Sequence, residues 1–553
     1  MFKHAKKLSA LALSMALALS LAACSTPAEQ NQGGNGDDNG STAAQTIIFG
    51  LSKTWETLKT TEFINGATHQ VGSQIFDKLI YLDESNTVHP RGADSWEWSE
   101  DGMTLTFHLN QNATWHDGEK VTAEDYVFSY KFYATNEVQF QNRAGTKYLA
   151  GVDPSTRIET GTDTAEVVAV DDYTLELHMN APYNQTSYMA SALNSFYVLP
   201  EHCFLKDDGT LMSDQEIYDN AEYWNAPIGS GPCSYVSEVA DSSITLQADP
   251  DYHLGAPAFG TLIMQVIDTS TAVDKILSGD VDILGFNLST EVAEQYLDND
   301  KVIISKETDP STQVNLCFNN KRVPTKIRQA VDRGINKQDI LDKIYSGNGV
   351  VNNSIIYPTY PGYENMDIYN PEEAAALVQE AIAEGDWSAD SKLIIGVVNT
   401  TGENAAILIK SQLAEIGIQV EIKQDEMATI QQAMITDLGE GSDYQYSAAI
   451  WTLGATYIPS KMLGVFALYS DSLFLHNETE EIYPIYEAYL TAQTAEADAA
   501  VIADFQAWEH ENVPQCTVVQ YGAYSATSPL VSNVDLFNTS NFNHASWLWT
   551  IND

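Results

Sequence analysis

A few places in this chain carry residue types that chemistry could use. His116-Asp117 sets an imidazole beside a carboxylate, the makings of a general acid–base pair. Glu509-His510-Glu511 offers a second such combination, and Gly229-Ser230-Gly231-Pro232 is glycine-rich in the manner of a phosphate cradle. Cys203, Cys233, Cys317 and Cys516 are potential ligands or disulfide partners. The context of each argues against the chemistry. His116-Asp117 runs into Gly118, and an Asp-Gly step is first of all a turn. Glu509-His510-Glu511 falls on an amphipathic helical pattern and reads as a solvated face. No Lys-Ser/Thr follows the glycine loop, so the phosphate reading is rejected. The cysteines are scattered singly, without C-x-x-C or paired histidines, so a zinc site is not expected. One or two disulfides and buried free thiols stay equally open. The chain has no G-x-S-x-G elbow, no H-E-x-x-H and no P-loop. An enzyme needs a nucleophile, a base and a stabiliser that converge. The expectation is a protein with no catalytic residues, no metal and no cofactor.

Size and charge narrow the classes further. At 553 residues the chain exceeds one core, and 44% hydrophobic residues with 10% aromatics supply several. Lys and Arg number 27 against 76 Asp and Glu, a formal charge of −49. Such a chain does not bind nucleic acid electrostatically, and an anionic membrane surface repels it. The N-terminus stands apart. Lys3, Lys6 and Lys7 precede an apolar run, Leu8 to Ala22, that is short for a membrane span. It ends in Leu21-Ala22-Ala23-Cys24, which resembles a bacterial lipobox, in which Cys24 is diacylated and becomes the mature N-terminus. Two acyl chains on one residue suffice for stable anchoring. Ser25 to Gln45 lacks large apolar groups and reads as a flexible tether with a reach of roughly 25 Å.

The elements that would position a site can be read from local pattern. Asp101-Gly102 is a hairpin turn, after which Met103, Leu105, Phe107 and Leu109 alternate with polar residues as in a half-buried strand. Thr122 stands three residues before Asp125, a capping-box start for a helix through Tyr130. Ile75, Leu79 and Leu82 suggest a helix over 72–82. Strands are expected over 46–51, 164–170, 173–179, 313–319 and 513–521. A helix opening at Lys275 should stop at Gly279, and Asn336 should cap another that ends at Gly347. Asn370, Pro371 and Gly385 delimit a further helix. A strand at 392–398, a helix after Asn404 and a strand at 418–422 make a right-handed crossover in a partly parallel sheet.

Several of these segments resemble the large solute-binding proteins of peptide ABC importers. That family carries W-x-x-S-x-D-G-x-T-Y-T-F-x-L-R leading into W-H-D-G-x-x-x-T-A-E-D-V. Residues 96–130 match it closely, with Leu105 for the usual Tyr and Asn110 for the usual Arg. Gly229-Ser230-Gly231-Pro232-Cys233 stands for G-T-G-P-Y, Asp249 to His253 for N-P-D-Y-W, and Lys275 to Ile283 for A-L-Q-S-G-E-V-D-I. Thr325 to Ala330 is similar to V-R-x-A-x-x-x-A-I-D-R. The resemblance spans nearly all of 46–553.

It implies an α/β fold, a two-lobed periplasmic-binding-protein-like clamshell with an extra inserted hairpin-rich α+β domain. The expected division is a signal peptide at 1–24 and a tether at 25–45. A base domain follows from 46–80, 200–310 and 516–553, with an insertion at 81–199 and a second lobe at 311–515. The implied function is capture of a peptide-like solute by lobe closure and its delivery to an ABC permease and its ATPase. The place is the outer face of the bacterial cytoplasmic membrane or the periplasm, anchored at Cys24. A nickel-chelate, oligosaccharide or signalling-peptide receptor is the alternative on the same scaffold, and a surface hydrolase or adhesin the alternative outside it. By the same resemblance, the ligand lies between a base-domain loop, Ile64-Asn65-Gly66, and a second-lobe strand end, Trp451-Thr452-Leu453-Gly454. Peptide-binding relatives carry an aspartate two or three residues past that tryptophan, for the ligand's α-ammonium. Here the run continues Ala455-Thr456-Tyr457, with no acid.

Overall fold

The structure, a computed structural model, describes residues 45–63, 65–84, 87–143, 145–161, 163–193, 196–358, 360–435, 445–454, 463–464, 466–467, 479–537 and 544–552. Three sheets of four or more strands organise them. The first runs Cys233–Val239, Ser243–Ala248, Thr261–Val266, Thr46–Leu51, Ile283–Leu284, Tyr524–Thr527, Ile303–Lys306. Its central strand, Thr46–Leu51, is parallel to both neighbours and buries Ile47, Phe49 and Leu51. Trp549 from the C-terminal segment stacks on Phe49, so the aromatic tail docks into this core.

The second sheet runs Gly349–Val350, Gln515–Tyr521, Thr312–Phe318, Ala448–Gly454, Lys392–Val397, Gln419–Gln424. Lys392–Val397 and Gln419–Gln424 are parallel, joined by the helix Thr400–Glu415, which is the expected crossover. That helix starts before Asn404: Asn399 caps it by accepting a hydrogen bond from the Gly402 N–H at 2.8 Å. The strand Gln515–Tyr521 lies entirely within this sheet. Gln515–Tyr521 pairs with Thr312–Phe318, and the expected boundary at 516 falls inside it.

The third sheet, Ala93–Trp98, Thr104–Leu109, Thr174–His178 and Val167–Asp171, is antiparallel, two hairpins joined through Thr104–Leu109 and Thr174–His178, with the helix Ala123–Ala134 packed on it. The Asp101-Gly102 hairpin and the Thr122–Asp125 capping box form as read, the Thr122 N–H donating to the Asp125 carboxylate at 2.8 Å. His116 ties this unit to the first sheet. Its Nε2–H donates to the Gly231 carbonyl at 3.0 Å, and its Nδ1 accepts from the Gly229 N–H at 3.2 Å. A buried ion pair between Arg91 and Asp77 adds a second tie, with the Arg91 guanidinium also over the Trp547 ring.

Two expectations need correction. The helix near residue 72 spans Gly66–Ile75 and not 72–82. Asn65 caps it, and past Phe76 the chain enters the short strand Ile80–Leu82. Buried Ile75, Leu79 and Leu82 satisfy a helical spacing, but tertiary hydrogen bonds decide the backbone: the Gly92 and Ala93 N–H groups take the Lys78 and Leu79 carbonyls. The second concerns Glu509-His510-Glu511. Glu509 is 4% exposed, accepting from the Ser354 hydroxyl at 2.5 Å and the Ile355 N–H at 3.0 Å. Burial raises its carboxyl to about 7. Local periodicity failed here because the helix Ala495–Asn512 is covered on more than one side.

The same helix meets the third sheet's unit. Asn184, N-cap of the helix Gln185–Ala192, donates from Nδ2 to Asp498 and from its backbone N–H to the Leu490 carbonyl. Gln493 Nε2 donates to the Tyr183 carbonyl at 2.8 Å. Burial in this contact raises the Asp498 carboxyl to about 6, Asn184 and Tyr360 opposing the shift.

Two measurements follow. A Cβ on Gly229 would lie 1.9 Å from the Ile75 carbonyl oxygen, so Gly229→Ala should cost about 2–4 kcal/mol in denaturant unfolding. A variant as stable as wild type would mean that this loop yields easily. For Asp498 the raised pKa means that the buried contact favours the neutral acid. Its contribution is complete below the ordinary value of 3.8 and fades as pH rises through about 6. Melting temperature should therefore shift in favour of Asp498→Asn over wild type as pH rises from about 4 to about 6, and level off above that. A difference that does not change with pH would show that this carboxylate is not penalised.

Candidate ligand-binding site

The strand Ala448–Gly454 is central in its sheet for only part of its length. On one side its ladder with Thr312–Phe318 runs the whole way, from Ala448 opposite Phe318 to Gly454 opposite Thr312. On the other side Lys392–Val397 pairs only at Ala448 and Ala449. From Ile450 to Gly454, no described strand pairs with that edge.

Side chains along this overhang divide between the two faces, as the two-residue period of a strand requires. Trp451 is half-buried against the cluster that holds Ile355, Phe466 and Trp508, with Tyr360 and Tyr363 beside it. Its cross-strand partner Asn315 is fully buried and accepts from Gln515 Nε2 at 3.1 Å. Thr452, on the opposite face, is exposed. The neighbouring helix Thr400–Glu415 begins beside the overhang, where Gly402 lies close to Ile450. Leu453 and Gly454 complete the strand.

The first-lobe loop is built differently. Asn65 is the N-cap of Gly66–Ile75, its Oδ1 accepting from the Thr68 N–H at 2.9 Å, and Gly66 is the first helical residue. Asn142 holds the preceding turn Thr60–Glu62 through the Thr61 and Thr60 carbonyls. Asn65 and Gly66 thus sit beside the first sheet and Trp451–Gly454 in the second. Ile64 and Cys24 lie outside the described residues, as do residues 455–462 past the strand.

The histidines that invite a catalytic reading are committed to structure. Both ring nitrogens of His116 serve the Gly229–Gly231 loop, and burial lowers its pKa. His69 is held at about 3 by burial, with Lys78 adding to the effect, and its Nδ1 meets the Tyr197 hydroxyl at 2.9 Å. Cys203, Cys233, Cys317 and Cys516 are free thiols. Burial, with Asp117 and Asp125 nearby, pushes Cys203 up to about 12. Sequence reasoning missed the contacts between Tyr183–Asn184 and Leu490–Asp498. Nothing local to Asn184 shows that its amide reaches a residue 314 positions away.

Comparison with known proteins fits this geometry. The family model for bacterial extracellular solute-binding proteins, family 5, matches residues 87–469. The dipeptide-binding protein of Escherichia coli is 27% identical over 402 residues, 69% of this chain and 72% of its own. The oligopeptide-binding protein AppA of Bacillus subtilis is 24% identical over 390 residues, 66% and 67% of the two chains. The crystal structure of the ABC transporter substrate-binding protein CtaP from Listeria monocytogenes superposes with a TM-score of 0.76 at 17% identity, covering 92% of this chain and all of that one. The same fold, an α/β periplasmic-binding-protein-like clamshell of two lobes, is therefore present here. The chain belongs to the bacterial extracellular solute-binding proteins of family 5, extracytoplasmic substrate-binding proteins of ABC transporters and not enzymes.

Proposed function

We propose that this chain is the lipid-anchored receptor of an ABC importer, which binds an extended peptide-like solute between its lobes and hands it to the permease. The observation that carries the reading is the overhanging edge of Ala448–Gly454, paired through Gly454 on one side and only to Ala449 on the other. An extended peptide backbone pairs with such an edge by strand addition. In this reading Trp451, Thr452, Leu453 and Gly454 hold one side of the ligand, and Ile64, Asn65 and Gly66 the other. Closure turns on the two places where the chain passes between the sheets, 307–311 and 522–523. Among the relatives, one is named for dipeptides, and AppA of Bacillus subtilis has been solved with a nonapeptide. Among the described residues no helix is long and apolar enough to cross a membrane. Acyl chains on Cys24 would hold the domain at the cell surface by the tether 25–45.

The missing aspartate after Trp451 shapes the choice of ligand. An α-ammonium buried without a partner costs about 3–5 kcal/mol, by analogy with broken buried pairs. Of the carboxylates near the first-lobe loop in sequence, Glu62 is turned to Tyr218, leaving Glu56 exposed. The receptor therefore takes N-blocked, longer or non-peptide solutes in preference to free di- and tripeptides.

Calorimetry on matched free-amine and N-acetylated peptides reads this directly. The acetylated series should bind at least as tightly. A free-amine preference above about tenfold, 1.4 kcal/mol, would mean that a carboxylate reaches the site from elsewhere. Failure of peptides of every length and capping to bind would remove the peptide reading altogether. The anchor is tested by fractionation: Cys24→Ala should move the protein from the membrane fraction to the soluble one, and unchanged membrane association would refute lipidation at Cys24.

A further inference from the structure

The turn that follows His116 brings three different donor atoms together. Asp117 lies in the Asp117-Gly118 turn of the third sheet's unit, and Gly118 has the positive φ of 94° that the turn needs. His202 and Cys203 lie side by side in the one-turn helix Glu201–Phe204. The Asp117 carboxylate and His202 Nε2 are 2.8 Å apart, and the Cys203 sulfur completes a triangle whose ligand atoms all lie within 4.8 Å of one another. Trp115 packs against the His202 ring at 6.2 Å and limits its swing. Asp117 is exposed, so solvent reaches the triangle from one side.

We infer that Asp117, His202 and Cys203 form a binding site for one zinc-like divalent transition-metal ion. The donor set is one oxygen, one nitrogen and one sulfur, which suits a borderline ion such as Zn²⁺, Co²⁺ or Ni²⁺ and not the oxygen-seeking Mg²⁺ or Ca²⁺. Bonds of about 2.0–2.3 Å in a tetrahedron place ligand atoms about 3.3–3.6 Å apart. The Asp117–His202 contact must then open by about half an ångström, within the reach of two partly exposed side chains. Three protein ligands leave a fourth position for water.

Binding balances simply. The ion takes the place of the hydrogen between Asp117 and His202, whose proton moves to Nδ1, so the imidazole stays neutral. Cys203 forms the metal–sulfur bond and releases its thiol proton to solvent. A carboxylate and a thiolate then neutralise the dication, leaving no net charge. The ion joins the His116-Asp117 turn to the segment that returns the chain to the first sheet, so its role is a staple between two units. The site was not legible from spacing, since Asp117 is far from the His202-Cys203 pair in sequence and no ligand repeats at a metal-finger interval.

The test uses the full chain stripped with a chelator and titrated with Co²⁺. One equivalent should bind and produce a thiolate-to-cobalt charge-transfer band, which Zn²⁺ abolishes stoichiometrically and excess Mg²⁺ leaves intact. Cys203→Ser should remove the band, and Asp117→Asn and His202→Gln should each weaken Co²⁺ binding at least tenfold. Zn²⁺ should raise the melting temperature of wild type but not of Cys203→Ser. Absence of a charge-transfer band in wild type would overturn the site. So would a band of equal affinity in Cys203→Ser, since another thiol would then be the ligand. If Cys203→Ser fails to fold, natively folded Asp117→Asn decides: unchanged cobalt affinity there refutes the assignment.

Discussion

Glu307 joins the two halves of the molecule. Ile303–Lys306 pairs antiparallel with Tyr524–Thr527 in the first sheet, and Thr312–Phe318 pairs antiparallel with Gln515–Tyr521 in the second. These are the same two chain segments, running as one ribbon through both sheets and interrupted once. At the interruption the Glu307 carboxylate accepts from the Ser311 N–H at 3.2 Å and the Ala523 N–H at 2.9 Å. Asn348 adds a bond from Nδ2 to the Gly522 carbonyl at 2.6 Å, and Gln520 caps the Pro310 carbonyl. A side chain thus stands in for ladder hydrogen bonds where the backbone leaves its regular path. The acid is buried and its pKa is raised by that burial, with the two amides it serves opposing the shift. A backbone donor left unpaired at this depth would cost about 1–3 kcal/mol, so few other residue types could fill the position.

The rest of the architecture hangs on that ribbon. Each sheet buries its own core, and the ribbon, with the contact of Tyr183–Asn184 against Leu490–Asp498, links them. The strand beside the ribbon in the second sheet, Ala448–Gly454, is the one with the overhanging edge. An open strand edge is ordinarily a hazard, because any extended segment can pair with it. Here the overhang is short, and Trp451 packs against the cluster of Ile355, Phe466 and Trp508, which stiffens the edge. Strand addition to a stiff edge loses less ordering entropy than pairing of two mobile segments.

Much of this was legible because local grammar and tertiary outcome agree. The Asp101-Gly102 hairpin, the Thr122 capping box and the Asn370–Gly385 helix are specified by residues within a few positions of one another. The crossover from 392 to 424 likewise follows from period and caps, shifted by a few residues at its helix start. Legibility ended where distant groups decide. The helix at Gly66–Ile75 stops because Gly92 and Ala93 claim the next carbonyls. Glu509 looks solvent-bound in a helical projection, yet Ser354 and Ile355 cover it. For the candidate site, Trp451 and Thr452 could be named only through the family resemblance, and the overhang beside them depends on where Lys392–Val397 stops pairing.

The arrangement of the ribbon also bears on how the chain is made. The strands of the third sheet all lie between residues 93 and 178. Both larger sheets, in contrast, wait for the same late segment: Gln515–Tyr521 enters one and Tyr524–Thr527 the other. A ribosome that stops short of residue 515 therefore leaves neither lobe finished, and no half-receptor with one working jaw can arise.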